Sequence, residues 1–435
     1  MKKTILLLLC FSLLFSLSAC AGLDTPASPN APEEVSPTVP PTAEQTAAPE
    51  PTPAELTLPE EHTDGADLGD QTLVYLTTTR EEEDVPDEDH ALILTFTYVT
   101  PKVRMDKNAA VADMINEKLA LLDEVYYSGS DTEYGKNYLY QLALDHYSYA
   151  MEKGTTAEIV FSSYRDAHVC RADGSVISFL YWKSVYTGGP QSEHSYVGHS
   201  YSSETGEELS LSSLSPDAAE LKKELSELLV SSVKENADQY DAITLSEQVK
   251  DSAIAALVRD GNWYFSGEGM VFFPAFGELT EDEQGFDMYT IPYEKLVGVI
   301  DDKFLAGARE NGGELTVLRV SDVEDGTIKS IDRLSVSDGD EMYLKVDGTI
   351  YDVAVSSVNY FDQPEGERFF ETERYWYASF MTDCALQICA QLPEGMPNLM
   401  ISYTDENYQV HRLLLSENGI DGTPVLVDDS IVAVG

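Results

Sequence analysis

The chain has 435 residues and carries 77 Asp and Glu against 27 Lys and Arg, a formal net charge of −50 at pH 7. A surface this acidic repels nucleic-acid phosphates and anionic lipid headgroups, which excludes nucleic acid as a partner. It attracts cationic proteins, although scattered acidity also serves solubility alone.

The N-terminus has the organisation of a secretory signal peptide. Two lysines precede an apolar stretch at residues 5–17, which is shorter than the roughly 20 residues that a membrane-spanning helix needs. Leu17-Ser18-Ala19-Cys20 closes this stretch and resembles the lipobox of bacterial lipoproteins, in which the cysteine thiol takes a diacylglycerol. We therefore predict that residues 1–19 are a lipoprotein signal peptide and that lipid on Cys20 holds the chain in the membrane, at the outer face of the cytoplasmic membrane or the cell surface.

Residues 20–70 have the composition of a stalk. Half of the 20 prolines of the chain fall between Pro26 and Pro59, among Thr, Ala, Ser and Glu. Such a segment buries too little apolar surface to offset the entropy of ordering, and proline keeps it extended. We expect a disordered linker with a reach on the order of 100 Å, since polyproline II rises by about 3.1 Å per residue.

Strand and helix patterns are intermixed from residue 71 to residue 307, without a strict βαβ alternation. Strands are predicted at 73–76, 91–99, 157–162, 176–186, 196–202, 263–265 and 270–273. Helices are predicted at 107–124 with Asp106 as the cap, at 134–153, from Ser215 with a buried leucine face, at 246–258, and from Pro292 to about Leu305. We predict an α+β region with a mixed antiparallel sheet, divided into an N-terminal half at 71–205 and a C-terminal half at 206–307.

The pattern changes at residues 313–435, where only strands are predicted. They lie at 315–320, 341–346, 350–359, 376–381, 386–392, 399–404 and 410–415. About seven strands in about 120 residues are typical of an immunoglobulin-like β-sandwich. Cys170, Cys384 and Cys389 remain after the signal peptide and the lipid site, and this odd number predicts free thiols rather than a disulfide framework.

Several short motifs carry a family resemblance over about residues 73–305. They are Tyr186-Thr187-Gly188-Gly189, the Thr205-Gly206 turn before Leu211-Ser212-Ser213-Leu214, the aromatic strands at 263–265 and 270–273, and Ile291-Pro292-Tyr293. In these motifs the chain resembles the extracellular region of RsiV-type anti-sigma proteins, which sense lysozyme, and the accessory region of PdaC-type peptidoglycan deacetylases. The resemblance implies a protein ligand such as a lysozyme-like wall hydrolase, and lysozymes are often cationic.

The candidate ligand-binding residues follow from these motifs and from the main histidine cluster. They are Tyr186, Gly188, Gly189, His194, Tyr196, His199 and Tyr201. His194 and His199 are five positions apart, so on a strand their imidazoles point to opposite faces, which disfavours shared metal coordination. The acidic turns at 322–326 and 338–341 are candidate Ca²⁺ sites without the full EF-hand spacing.

No catalytic motif is found in the sequence. A Gly-x-Ser-x-Gly elbow, a His-Glu-x-x-His helix and a P-loop are all missing. We therefore expect no cofactor and a non-enzymatic binding or sensing lipoprotein, with a muramidase-like cationic protein as the ligand. Two alternatives remain: an accessory or weakly enzymatic module in peptidoglycan remodelling, and a structural lipoprotein of the cell envelope.

Replacing Cys20 by Ala should abolish lipidation, because the thiol is the acceptor of the diacylglycerol. Metabolic labelling with a fatty acid should mark the wild type and not the variant, and globomycin should block processing of the wild type. Unchanged processing and membrane retention in all three experiments would contradict the predicted location.

Overall fold

The structure is a computed structural model that describes residues 71–428, except 87–89, 130–133, 156–158, 236–249, 276–277, 280–287, 310–311, 325, 364–365 and 394–396. The predicted signal peptide, Cys20 and the stalk lie outside the described residues. All described residues belong to one unit, Leu58–Gly435. Within them, no helix combines the length and the apolar character that crossing a bilayer requires.

The strands of the described residues form three sheets. In chain order the strands are β1 Thr72–Asp84, β2 Leu92–Met105, β3 Phe161–Ala172, β4 Val176–Tyr186, β5 Glu193–Ser202, β6 Trp263–Phe265, β7 Gly269–Phe272, β8 Tyr289–Pro292, β9 Glu314–Arg319, β10 Ser330–Ser335, β11 Asp340–Asp347, β12 Thr349–Gln363, β13 Gly366–Thr382, β14 Ala385–Ala390, β15 Leu399–Thr404, β16 Val410–Glu417 and β17 Pro424–Asp428. The large sheet has the order β17-β16-β15-β12-β13-β1-β2-β3-β4-β5, the second β10-β14-β11-β9, and the third β6-β7-β8.

Within the described residues, the α-helices all lie before residue 300. They are α1 Ala109–Ser128, α2 Lys136–Glu152, α3 Ala218–Glu235, α4 Asp251–Ala256 and α5 Tyr293–Leu296, with short 3₁₀ turns at Leu211–Ser213, Asp302–Phe304 and Val320–Asp322. The leucine face predicted for α3 is confirmed, because Leu221, Leu225, Leu229 and Val233 are buried. The fold class is confirmed as well: an α+β region is followed by an all-β sandwich region.

The two regions share one continuous sheet. Strand β13, from the all-β region, pairs antiparallel with β1, with Leu73 opposite Ala378 and Tyr75 opposite Trp376. On its other side β1 pairs with β2 over its whole length. The predicted boundary at residues 307–313 therefore does not interrupt the sheet, although the last described α-helix, at Tyr293–Leu296, ends before it.

A buried carboxylate fixes the four-stranded sheet onto this junction. Asp332 in β10 accepts hydrogen bonds from the Tyr75 hydroxyl at 2.7 Å and from Trp376 Nε1 at 2.9 Å. Its side chain is 2 % exposed, and Arg104 lies 3.7 Å from its second oxygen. Because both donors belong to strands of the large sheet, the one carboxylate holds the two layers of the sandwich in a defined position.

Strand β4 is covered on both faces, as its almost uninterrupted apolar sequence requires. On one face the Ser178 hydroxyl accepts a hydrogen bond from the backbone of Phe265 in β6, and Val176 packs in the same core as α3. On the other face Phe179 and Tyr181 pack in a core with α1. This part of the large sheet thus lies between two layers: the third sheet and α3 cover one face, and α1 covers the other.

Some predicted elements differ from the structure. The helix predicted from residue 107 begins at Ala109 after Asn108, and Asp106 bonds Arg104 instead of capping it. The helix predicted to reach Leu305 ends at Leu296, and Gly298 follows in the left-handed region at φ 77°. Strands β10 and β17 were not predicted, because β10 has a mostly polar sequence and β17 is only five residues long and begins with a proline. The start of the helix predicted at 246–258 lies outside the described residues.

Replacing Asp332 by Ala should lower the free energy of unfolding by about 3 kcal/mol, because two buried donors and Arg104 would lose their acceptor. Urea denaturation of the purified chain measures this loss. The exposed Asp338→Ala variant is the matched control and should stay within about 0.5 kcal/mol of the wild type. Equal stability of the two variants would contradict a fixing role for Asp332.

Candidate functional site

The residues predicted to bind a ligand lie on the β4–β5 hairpin at one end of the large sheet. Strand β5 pairs antiparallel with β4, with Tyr196 opposite Trp182 and His199 opposite Phe179. Because side chains alternate along a strand, His194 and Tyr196 share one face and His199 and Tyr201 the other. The expectation that the two imidazoles point to opposite faces is confirmed.

His194 and Tyr196 pack against aromatic neighbours. The imidazole of His194 stacks on the ring of Trp182 at 5.9 Å, and burial lowers the pKa of His194. The ring of Tyr196 meets that of Phe273 edge-on at 6.0 Å, and burial raises the pKa of Tyr196 to about 12. Both residues are partly buried. This face of β5 therefore mainly supports the packing of the third sheet.

The opposite face of β5 packs against α1. Tyr201 is fully buried, and its ring lies 6.0 Å from the ammonium of Lys118 in α1. Nδ1 of His199 lies 2.7 Å from the carboxylate of Glu208, and this bond lowers the pKa of Glu208. Tyr201 has no exposed surface to offer a ligand, because α1 and β4 enclose it.

The glycine pair turns the chain from β4 toward β5. Gly188 has φ 83°, a conformation that residues with a Cβ rarely adopt, and an added Cβ would come within 3.3 Å of Ile159 and Phe161. Gly189 has no such restriction. Tyr186, partly buried, ends β4 opposite Ser162. The structure thus brings the predicted residues together on one hairpin, but distributes them over a turn and two faces.

A charged cluster that the sequence analysis missed lies between β3 and the β12–β13 pair. Asp166 and His168 sit two positions apart on β3, with Oδ2 of Asp166 3.1 Å from Nε2 of His168. On β13, Arg374 donates to both oxygens of Glu371 at 2.8 and 3.1 Å, and Glu371 also accepts from the Ser356 hydroxyl of β12. The four charged side chains are partly buried.

The charges of this cluster balance one another. Burial raises the pKa of Asp166, but His168, Arg374 and the backbone amide of Ala167 outweigh it, and the net pKa is lowered. Burial lowers the pKa of His168, but the Asp166 carboxylate outweighs it, and the net pKa is raised. The Asp166–His168 pair is therefore charged at mildly acidic pH, and it interacts electrostatically with Glu371 and Arg374 of β13.

Metal-binding geometry is not found in the described part of the chain. Within it, no group of three or more His, Cys, Asp and Glu side chains is placed to hold an ion. At the second acidic turn Asp340 pairs with Arg319 at 3.2 Å, and Glu341 pairs with Arg333. Asp325 of the first turn lies outside the described residues. Calcium binding at these turns stays a prediction.

The three remaining cysteines are free thiols, as predicted. Cys384 is buried, and burial raises its pKa, whereas Cys170 and Cys389 are partly exposed. A raised pKa keeps the Cys384 thiol protonated and poorly nucleophilic at neutral pH.

Comparisons with known proteins give weak similarities. No protein-family model and no curated protein matches the chain. Among solved structures, a DUF3298 family member from Bacteroides fragilis is 16 % identical and covers 52 % of this chain and 93 % of its own, at a TM-score of 0.40. A DUF3298 family protein from Pseudomonas aeruginosa is 18 % identical and covers 53 % of this chain and 97 % of its own, at a TM-score of 0.33.

Replacing His168 by Gln should destabilise the chain more at pH 5.5 than at pH 9. A raised folded-state pKa stabilises the fold below the ordinary histidine value near 6.5, and this contribution is lost as the pH rises through the folded-state pKa. At pH 5.5 we expect a loss of about 1–3 kcal/mol, typical of a hydrogen bond between charged groups. Denaturant unfolding at both pH values measures the difference.

His90 provides the control for this measurement. It is exposed and has φ 45°, which Asn tolerates, so His90→Asn should cost little at either pH. A pH-independent effect of His168→Gln would contradict a charged Asp166–His168 pair.

Proposed function

We propose that the chain is a lipid-anchored cell-surface protein that binds a cationic protein, such as a lysozyme-like wall hydrolase, without catalysing a reaction. The observation that carries the proposal is the excess of 50 acidic over basic side chains. If every Lys and Arg formed one ion pair, this excess would remain uncompensated.

The ion pairs of the described residues support the interpretation that the excess acidic charge is not compensated within the fold. The buried or partly buried cations are already paired: Arg165 with Asp123, Arg171 with Asp173, Lys136 with Glu81 and Arg309 with Asp352. These four basic side chains therefore serve the fold and do not offset the excess of carboxylates. A field of this sign accelerates encounter with a cationic partner over about one Debye length, roughly 8 Å at physiological salt.

The stalk supports a role in reaching a wall-bound partner. A lipid at Cys20 and about fifty extended residues would place the folded unit well away from the membrane. The RsiV and PdaC resemblance points to the same environment, because both kinds of protein act on or respond to the cell wall.

The mature chain, immobilised and challenged with a panel of muramidases, should retain the cationic ones at 50 mM salt and release much of them at 500 mM. Cytochrome c, cationic but not a muramidase, is the control for charge alone. Retention of no muramidase at either salt concentration would overturn the proposal. Equal retention of cytochrome c would show that the chain binds cationic proteins without a preference for wall hydrolases. Wall fragments incubated with the chain should keep their mass, and a change in mass would indicate an enzyme.

A further inference from the structure

Exposed apolar side chains of the described residues concentrate on two helices. Twelve large hydrophobic side chains are exposed in the part of the chain that the structure describes, and seven of them belong to α1, to α2 or to the residues that lead into α2. These seven are Met114, Leu121, Val125, Tyr134, Tyr138, Tyr149 and Met151. Single exposed apolar residues are ordinary on a protein surface, but a concentration of them marks an interaction site.

On α1 the exposed residues form one stripe. Met114, Leu121 and Val125 are separated by seven and four positions, which places them on the same side of a helix. They are 45, 59 and 47 % exposed. The fold does not need this stripe, because the opposite side of α1 supplies Ile115 and Leu119 to the core.

The exposed side of α2 and the residues before it contribute tyrosines to the same surface. The rings of Tyr134 and Tyr138 stack in parallel at a centroid distance of 5.4 Å, and Tyr138 and Tyr149 are 56 and 61 % exposed. The buried side of α2, with Leu139 and Ala143, packs on Phe161 of β3, while Ala167 of the same strand packs in a core with α1. Phe161 and Ala167 lie on one face of β3. The two helices thus cover the same side of the sheet and turn their outer surfaces to solvent together.

Acidic side chains surround these apolar residues. Asp113, Glu117, Glu124, Asp145 and Glu152 are exposed on α1 and α2. None of the five forms an ion pair with another described residue. The nearby cations are engaged: Lys136 is buried against Glu81 and Glu83, and Lys153 lies over the ring of Tyr149 at 5.2 Å.

We propose that this α1–α2 face, formed by the five carboxylates and the exposed apolar residues other than Met151, is the surface that docks the cationic protein. The inference rests on the proposed function and names its binding surface. The partner chemistry that fits is an apolar patch bordered by Lys and Arg side chains. Aromatic and aliphatic contacts then supply affinity at the centre of the interface. The partner's Lys and Arg side chains lie against the tyrosine rings of this chain, and the carboxylates of this chain steer the encounter. A second copy of this chain does not fit, because its own face is acidic.

The test measures binding of lysozyme, as the cationic probe, to the full mature chain and to two variants. Leu121→Ser/Val125→Ser/Tyr138→Ser removes the apolar centre, and Glu117→Lys/Glu124→Lys reverses the charge. We expect each to raise the Kd at least ten-fold, the first through faster dissociation and the second through slower association with a weaker dependence on salt. All five side chains are exposed, so the melting temperature should not change.

Matched controls alter equally exposed residues elsewhere. Val297→Ser/Ile420→Ser removes apolar side chains that are 64 and 95 % exposed, and Glu193→Lys/Glu204→Lys reverses two exposed charges on or beside β5. Both should bind like the wild type.

The possible results separate the two proposals. If the wild type binds neither lysozyme nor any other muramidase of the panel, the proposed function fails and the docking surface fails with it. If the wild type binds and both α1–α2 variants bind equally well, only the docking surface is wrong. Loss of a wild-type dimer in the variants, seen by sedimentation, would overturn the inference in favour of self-association.

Discussion

The pairing of β1 with β13 is the contact on which the rest of the architecture depends. It is short, with register partners from Leu73 to Tyr75, yet it joins segments about 300 residues apart. Without it the large sheet would separate into two sheets with two new edges, each with unpaired backbone donors and acceptors. The carboxylate of Asp332 reinforces the pairing, because it accepts one hydrogen bond from each of the two strands. Register, sheet continuity and the position of the second layer thus depend on the same few residues.

This arrangement also determines which surfaces remain open. One face of β4 is covered by the third sheet and α3, and the other by α1. Part of the edge of β5 is covered too, since the amide of Gly198 donates to Gly261 and the amide of Leu209 donates to Ser200. An added Cβ at Gly198 would lie 1.9 Å from the carbonyl oxygen of Trp263, so only glycine permits this approach. The hairpin that carries the predicted binding residues is therefore largely enclosed, whereas the outer surfaces of α1 and α2 are not.

The sequence predicted the elements better than their associations. The leucine spacing of α3 and the run of β-forming apolar residues in β4 are local signals, and both predicted their elements within a few residues. The alternation along β5 likewise predicted that His194 and His199 diverge. Nothing local reveals that β13 would pair with β1. For the same reason the Asp166–His168 pair was missed, because its neighbours Glu371 and Arg374 follow some 200 residues later on a different strand pair.

The tyrosines show why composition alone does not locate a binding surface. Many tyrosines belong to the buried core: Tyr75, Tyr126, Tyr181, Tyr201, Tyr264, Tyr289 and Tyr377. Burial raises the pKa of Tyr75, Tyr181 and Tyr201, so these hydroxyls stay neutral parts of the fold. Only the tertiary structure distinguishes them from Tyr134, Tyr138 and Tyr149, which the fold leaves in water. An exposed tyrosine offers a large ring at a low cost in conformational entropy, and carboxylates nearby favour a cationic partner over a neutral one. Both features coincide on α1 and α2, which is why the proposed docking surface lies on the helices rather than on the tyrosine-rich β4–β5 hairpin.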